Sequence, residues 1–115
     1  MKRIPAKWLN KSVSFYSFTG SDDDNNPAYA AVQTLSKVRI EYGVKTVLSS
    51  TGETLVDDAV VYYDPVQSSP KGLTFPRKSK IVFNNDNFIL READPFYDEN
   101  GNLHHWELRL TGNEG

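Results

Sequence analysis

The stretch from Ser79 to Leu110, SKIVFNNDNFILREADPFYDENGNLHHWELRL, restricts the possible folds more than any other part of this chain. It divides into three extended runs separated by two turn sequences. Ile81 and Phe83 alternate with Lys80, Val82 and Asn84, the period of two expected of a half-buried strand. Asn84-Asn85-Asp86-Asn87 follows; such side chains bond to their own backbone and tolerate positive φ, so the chain reverses there. Phe88 to Ala93 is the return strand, and Asp94-Pro95 is predicted to end it, because proline has no N–H to give to a ladder. Asp98 to Asn102 carries an Asn-Gly pair, a strong hairpin signal. It leads into Leu103 to Leu110, where Trp106, Leu108 and Leu110 face one way and His105, Glu107 and Arg109 the other. This is an antiparallel meander with one apolar face.

Composition narrows the class further. With 115 residues the chain, 1–115, reads as a single domain able to bury one core. Hydrophobic residues at 38% and charged residues at 24% are ordinary for a globular protein, and Tyr, Phe and Trp at 12% favour strands. The net charge of −2 singles out neither a nucleic-acid binder nor an acidic tail. It is unevenly spread: Lys2, Arg3, Lys7 and Lys11 put +4 on the first eleven residues and so leave −6 for the rest. Without cysteine there is neither a disulfide framework nor a thiolate zinc site, which suits a reducing compartment. Met1-Lys2-Arg3 lacks the apolar stretch of a signal peptide, and no apolar run approaches the ~18 residues of a membrane span. The expectation is a protein of the cytosol with no membrane partner.

Ahead of the meander, Met1 to Asn10 is a short lead or arm. Pro5 suits the start of one helical turn through Leu9, with Trp8 and Leu9 as an apolar cap on the core; docking on a neighbouring subunit is the other reading. In Lys11 to Thr19, Val13 and Phe15 share one face and Tyr16 and Phe18 the other, which predicts burial on both sides or a bulge near Phe15. Gly20 to Pro27 (GSDDDNNP) is a polar loop. Ala28 to Tyr42 holds a strand, clearest where Val38, Ile40 and Tyr42 oppose Lys37, Arg39 and Glu41; Ala28 to Leu35 extends it or forms a helical turn. Val44 to Leu48 resumes after Gly43, Ser49 to Gly52 is a turn, and Leu55 to Tyr63 is the next strand. Val60-Val61-Tyr62-Tyr63 is apolar on both sides, as in a strand of a small closed barrel. Asp64 to Pro76 holds three of the six prolines, and a loop this long hints at function. The prediction is an all-β fold with at most one short helical turn: a small antiparallel barrel or sandwich of six or seven strands with two long polar loops.

Few groupings suggest chemistry. Asp22, Asp24 and Asn26 match the first ligand positions of a calcium loop, but the sixth is Pro27 and the twelfth Gln33. Asp98, Asn100 and Asn102 fail the same way at Leu103 and Arg109. His105 and Glu107 project from one strand face about 7 Å apart, yet with His104 they are too few for a zinc site. The H-x-E fragment also lacks the cysteine pair of zinc deaminases. His104 shares the Trp106 face, so both histidines read as structural, with Asp94 or Asp98 as hydrogen-bond partner. No glycine-rich phosphate loop or nucleophile elbow occurs. The expectation is no enzyme, no cofactor and no metal. Lys71, Arg77, Lys78 and Lys80 form a basic run around Phe75, either a solvated flank or a phosphate contact. An oligonucleotide-binding barrel is the alternative function; it requires exposed aromatics among basic residues, for which Tyr16, Tyr62 and Tyr63 are the platform.

Ile4-Pro5, Asp94-Pro95-Phe96 and Leu103-His104-His105-Trp106-Glu107-Leu108 together resemble the minor capsid protein family of tailed phages and prophages, over nearly the whole chain. The resemblance implies a structural virion protein similar to head-closure components. Such proteins are small β-barrels that join head to tail below the portal and adaptor after DNA packaging. The implied partners are further copies in a ring, portal and adaptor proteins, a tail-completion protein and packaged DNA. The implied location is the virion neck, reached from the host cytoplasm. One of the two long loops would face the channel or a neighbour. Asp22, Asp23 and Asp24 would repel phosphate and so suit a subunit or adaptor contact, whereas the basic run suits DNA or an acidic neighbour.

Overall fold

The computed structural model describes residues 4–21, 23–43, 45–48, 54–56 and 58–112. Their alternating apolar runs form β1 (Lys11–Tyr16), β2 (Phe18–Ser21), β3 (Pro27–Tyr29), β4 (Gln33–Tyr42), β5 (Lys45–Leu48), β6 (Thr54–Val56), β7 (Ala59–Tyr63), β8 (Lys80–Phe83), β9 (Asp86–Tyr97) and β10 (Leu103–Gly112). Six of these close into an antiparallel barrel in the order β1-β4-β7-β10-β9-β8, with β8 returning to β1. The other four prolong two of its hairpins: β2–β3 continues β1 and β4, and β5–β6 continues β4 and β7. The radius of gyration is 14.7 Å, against about 13 Å for a compact domain of this length, as projecting arms require.

The meander is present as β8-β9-β10, but β9 runs through Pro95 to Tyr97 instead of stopping before it. Pairing with β8 ends at Ile89, so the later half of β9 has only β10 beside it, and an edge tolerates the missing donor. The phase change in the first strand has a similar origin. Val13 and Phe15 are buried in the barrel, pairing breaks at Ser17, and Phe18 belongs to the β2–β3 arm. The predicted polar loop is shorter than expected, since Gly20, Ser21 and Pro27 are strand residues of that arm and residues 23–26 turn between them. The turn predicted over 49–52 lies outside the described residues.

Inward-facing Val13, Phe15, Leu35, Val38, Ala59, Val61, Tyr63, Ile81, Phe88, Leu90, Leu108 and Leu110 fill the barrel. Each large side chain removed from water in this way contributes roughly 1.5–3 kcal/mol. Leu35 and Val38 both face inward although three residues apart, because Lys37 is a bulge with φ 57° that has no partner on β1. Val60, on the outer side of β7 between Glu41 and Arg109, is nonetheless fully buried. This satisfies the expectation of a strand covered on both faces.

In a ring of this order β7 and β8 stand opposite each other, so the segment between them has to cross the barrel mouth. That crossing explains the length of Asp64 to Pro76, which the sequence suggested was functional. The segment does not project. Asp64 is buried, and its Oδ1 accepts the N–H groups of Val66 (2.8 Å) and Gln67 (3.3 Å) while its own N–H donates to Ser68 Oγ (2.9 Å). Ser68 Oγ donates to the Lys37 carbonyl, docking the segment on the bulge. Phe75 then enters the mouth, edge-on to Phe15, Tyr63 and Trp106 at centroid distances of 5.7, 5.3 and 5.6 Å. The N-terminal lead folds onto the same barrel: Ala6–Trp8 is a 3-10 turn, Leu9 is buried, and Gln67 Nε2 donates to the Ile4 carbonyl at 2.8 Å. Trp8 does not cap the core as predicted; it is 50% exposed.

Truncating the plug tests this account. Phe75→Ala should destabilise the protein by about 3–5 kcal/mol, since the mouth cannot collapse around three fixed rings. Urea denaturation measures it, and a loss below about 1 kcal/mol would place Phe75 outside the core.

Candidate functional site

The outer wall of β4, β7 and β10 carries a groove of about 310 Å³ lined by Ile4, Trp8, Arg39, Glu41, Tyr62, His105 and Glu107. Its polar residues alternate with the core residues of the same strands, and the register sets Arg39 beside Tyr62 and Tyr62 beside Glu107. Arg39 Nε donates to Glu41 Oε1 at 2.9 Å, and its guanidinium lies 5.9 Å from the centroid of the Trp8 ring. The Tyr62 hydroxyl donates to Glu41 Oε2 at 3.2 Å. On the β10 side Arg109 Nε donates to Asp94 Oδ2 at 2.7 Å, with Glu107 3.8 Å from the same guanidinium.

His104 and His105 meet through a bulge. Leu103 pairs with Tyr97 and His105 with Phe96, so the register shifts by one residue at His104. Adjacent side chains on a regular strand point apart, but a bulge re-aims them. His104 stays buried while its Nδ1 comes within 2.8 Å of His105 Nδ1. His105 Nε2 lies 3.0 Å from Glu107 Oε2, and Phe96 stacks on the His105 ring at 4.9 Å. With Glu107 ionised, His105 donates to it through Nε2 and accepts from His104 Nδ1–H. Both nitrogens of His105 are therefore engaged within the wall. Asp94, a predicted partner of the histidines, is held by Arg109 instead. Asp98 is held below its ordinary carboxylate value, first by the Asn102 N–H and then by that of Asn100, with the charge of His104 adding to the pull.

The remaining predicted site residues fall in different places. Asp23 and Asp24 are exposed in the turn of the β2–β3 arm, and Asp22 lies outside the described residues. Lys71 folds back so that Nζ donates to the carbonyls of Ser68 (2.6 Å), Pro65 (3.1 Å) and Val66. Arg77 reaches Glu92 at 3.3 Å on the surface. Lys78 Nζ stands 5.8 Å from the Phe18 ring centroid and Lys80 Nζ 5.4 Å from that of Tyr16. The structure thus gathers Lys78 and Lys80 against aromatic rings and occupies Lys71 elsewhere. Phe75, interleaved with them in sequence, is interior. Among the described residues no three His, Asp or Glu side chains gather to hold a metal.

The groove escaped the sequence reading because its members come from the lead and three strands. Its one local signal is the same-face pair at two-residue spacing, Arg39 with Glu41 and His105 with Glu107. The Tyr62 phenol reports its environment directly. Burial, then the charges of Glu41 and Glu107, push its pKa up to about 12, against a partial offset from Arg109. The folded state therefore holds this proton more tightly than the unfolded chain. The resulting stability is complete below pH 10 and is lost as pH rises through about 12. Titration followed by phenolate absorbance should show a late-ionising tyrosine that disappears in Tyr62→Phe; an unchanged high-pH phase would refute the assignment.

A family model described as minor capsid protein matches residues 5–110. No curated protein matches the chain closely enough to count as a relative. The matched span runs from the start of the lead to Leu110 in β10 and so takes in every strand of the closed barrel. The chain therefore belongs to the minor capsid protein family of phages and prophages, whose members are structural components of the virion.

Proposed function

We propose that this protein joins head to tail in the virion neck, as one copy in a ring stacked below the portal and adaptor, and carries out no reaction of its own. The observation that carries the reading is the contrast between the barrel and its arms. Closure leaves the barrel with little strand edge to offer a partner. The β2–β3 and β5–β6 arms are two-stranded, and among the described residues no third strand pairs with either. Two-stranded ribbons are marginal by themselves, so docking on adjacent copies or on adaptor and tail-completion proteins both orders the arms and holds the ring. Asp23 and Asp24 at the tip of the first arm suit a protein contact better than the DNA channel. The groove fits a recognition surface better than a reactive one, since both nitrogens of His105 are already engaged.

The oligonucleotide-binding alternative keeps Tyr16, with Lys80 Nζ 5.4 Å from its ring, but not the other two tyrosines of its platform. Tyr63 is only 3% exposed and donates its hydroxyl to the Pro70 carbonyl, and Tyr62 faces the carboxylates of the groove.

Deleting the gene from the phage genome that encodes it should yield filled heads that lack tails and lose DNA, seen by electron microscopy. Complementation with a chain whose β2–β3 turn is cut to Asn-Gly should give a folded protein that does not restore tails. Tailed, DNA-retaining particles in the deletion would overturn the reading.

A further inference from the structure

The seam between β1–β2 and β8 carries two lysines whose surroundings differ from those of every other member of the basic run. Lys80 pairs with Tyr16 on the neighbouring strand, and its ammonium stands over the Tyr16 ring; Lys78 stands over Phe18. Neither ammonium meets a carboxylate among the described residues. Phe18 lies edge-on to Tyr29 at 6.2 Å, and beside them opens a cleft of about 290 Å³ lined by Phe18, Ser21, Asn25, Pro27, Tyr29, Lys78 and Ile89. We infer that this seam is a binding surface for the phosphate backbone of duplex DNA, read without regard to sequence.

Three features point to phosphate. Among the described residues neither the Lys78 nor the Lys80 ammonium donates to a protein oxygen, whereas Lys71 gives its N–H groups to three carbonyls. The ring also limits the rotamers of a long side chain, so less freedom is lost when a phosphate binds. The backbone is set in advance as well. Lys78 has φ 72°, a conformation that glycine or asparagine adopts more easily. It is held there by its N–H to the Leu90 carbonyl (2.9 Å) and by the buried Ser79 beside it. Ser79 Oγ accepts the Phe18 N–H at 3.0 Å and donates to the Pro76 carbonyl at 2.7 Å, which ties the ring under Lys78 to the turn that presents Lys78. The turn therefore fixes where the Lys78 side chain leaves the backbone, beside the Phe18 ring.

The rings favour duplex over single strands. Tyr16, Phe18 and Tyr29 are partly buried, and two of them already have an ammonium over the ring, so they offer poor platforms for stacked bases. Arg77 adds charge nearby but is shared with Glu92. Asp23 and Asp24, in the turn beside Asn25, bound the seam at its arm end.

This inference rests on the virion reading only for the source of the DNA, and purified protein tests it separately. Fluorescence anisotropy with a labelled duplex of arbitrary sequence should show binding that weakens steeply between about 50 and about 200 mM salt. Lys78→Ala/Lys80→Ala should flatten the slope of log affinity against log salt by about 1.8. The parent then loses roughly tenfold more affinity than the variant over that range. Lys7→Ala/Lys11→Ala, which removes the same charge elsewhere, should leave the slope as in the parent, and thermal melting checks that each variant is folded. Equal slopes for the parent and the seam variant would overturn the proposal, as would no binding at about 50 mM salt. Binding of labelled poly-glutamate as tight as that of the duplex would also overturn it, and would give the seam to an acidic protein neighbour. A protein that binds DNA through these lysines yet is dispensable for tail joining would uphold the seam and sink the neck assignment.

Discussion

Everything in this molecule depends on bringing β7 and β8 into one ring from opposite sides. The connection between them cannot be a tight turn, so it crosses the barrel mouth and brings Phe75 with it. A crossing segment carries backbone polar groups into a dry place, and each has to be paired. Asp64, Ser68 and Lys71 do this work, and the result is a closed end instead of a flexible flap. The same segment reaches Ile4 through Gln67 and so holds the N-terminal lead against the wall. One topological demand thus accounts for the plug, the buried aspartate and the placement of the lead.

Bulges decide what the outer wall presents. At Lys37 an extra residue keeps Leu35 and Val38 both inside while offering a carbonyl to Ser68. At His104 another lets two neighbouring imidazoles touch, one buried and one in the groove. The wall between them is a lattice of Arg39, Glu41, Tyr62, Glu107, Arg109 and Asp94, in which each arginine lies beside a carboxylate and Tyr62 sits between two glutamates. The exposed pair among them, Arg39 with Glu41, contributes little, about 0–1 kcal/mol. The effect of these contacts is on shape, since each side chain is held in place by its neighbours on the wall.

The molecule divides its surface chemistry by region. The barrel is closed, the arms are two-stranded with no third strand among the described residues, the β4–β7–β10 wall carries both signs of charge, and the β1–β8 seam is basic. A structural virion component benefits from this separation, because contacts with protein neighbours and with nucleic acid make opposite electrostatic demands. The net charge of −2 conceals the division, since it sums regions of different local charge.

Much of this was legible before any coordinates. Period-two alternation and the Asn-Gly turn determined an antiparallel all-β chain, because strand periodicity and turn chemistry are local properties. The buried face of β10, with His104, Leu108 and Leu110 inside, followed from the same alternation. Only the tertiary structure decided that Phe75 belongs to the core, that Pro95 lies within a strand, and that Trp8 forms part of a groove and not a cap. It alone placed Lys78 over Phe18 and Lys80 over Tyr16, pairs that no run of neighbouring residues contains. Closure of the ring is the physical reason: it sets side by side strands that are distant in sequence, and which side chains then meet depends on register, bulges and crossing path.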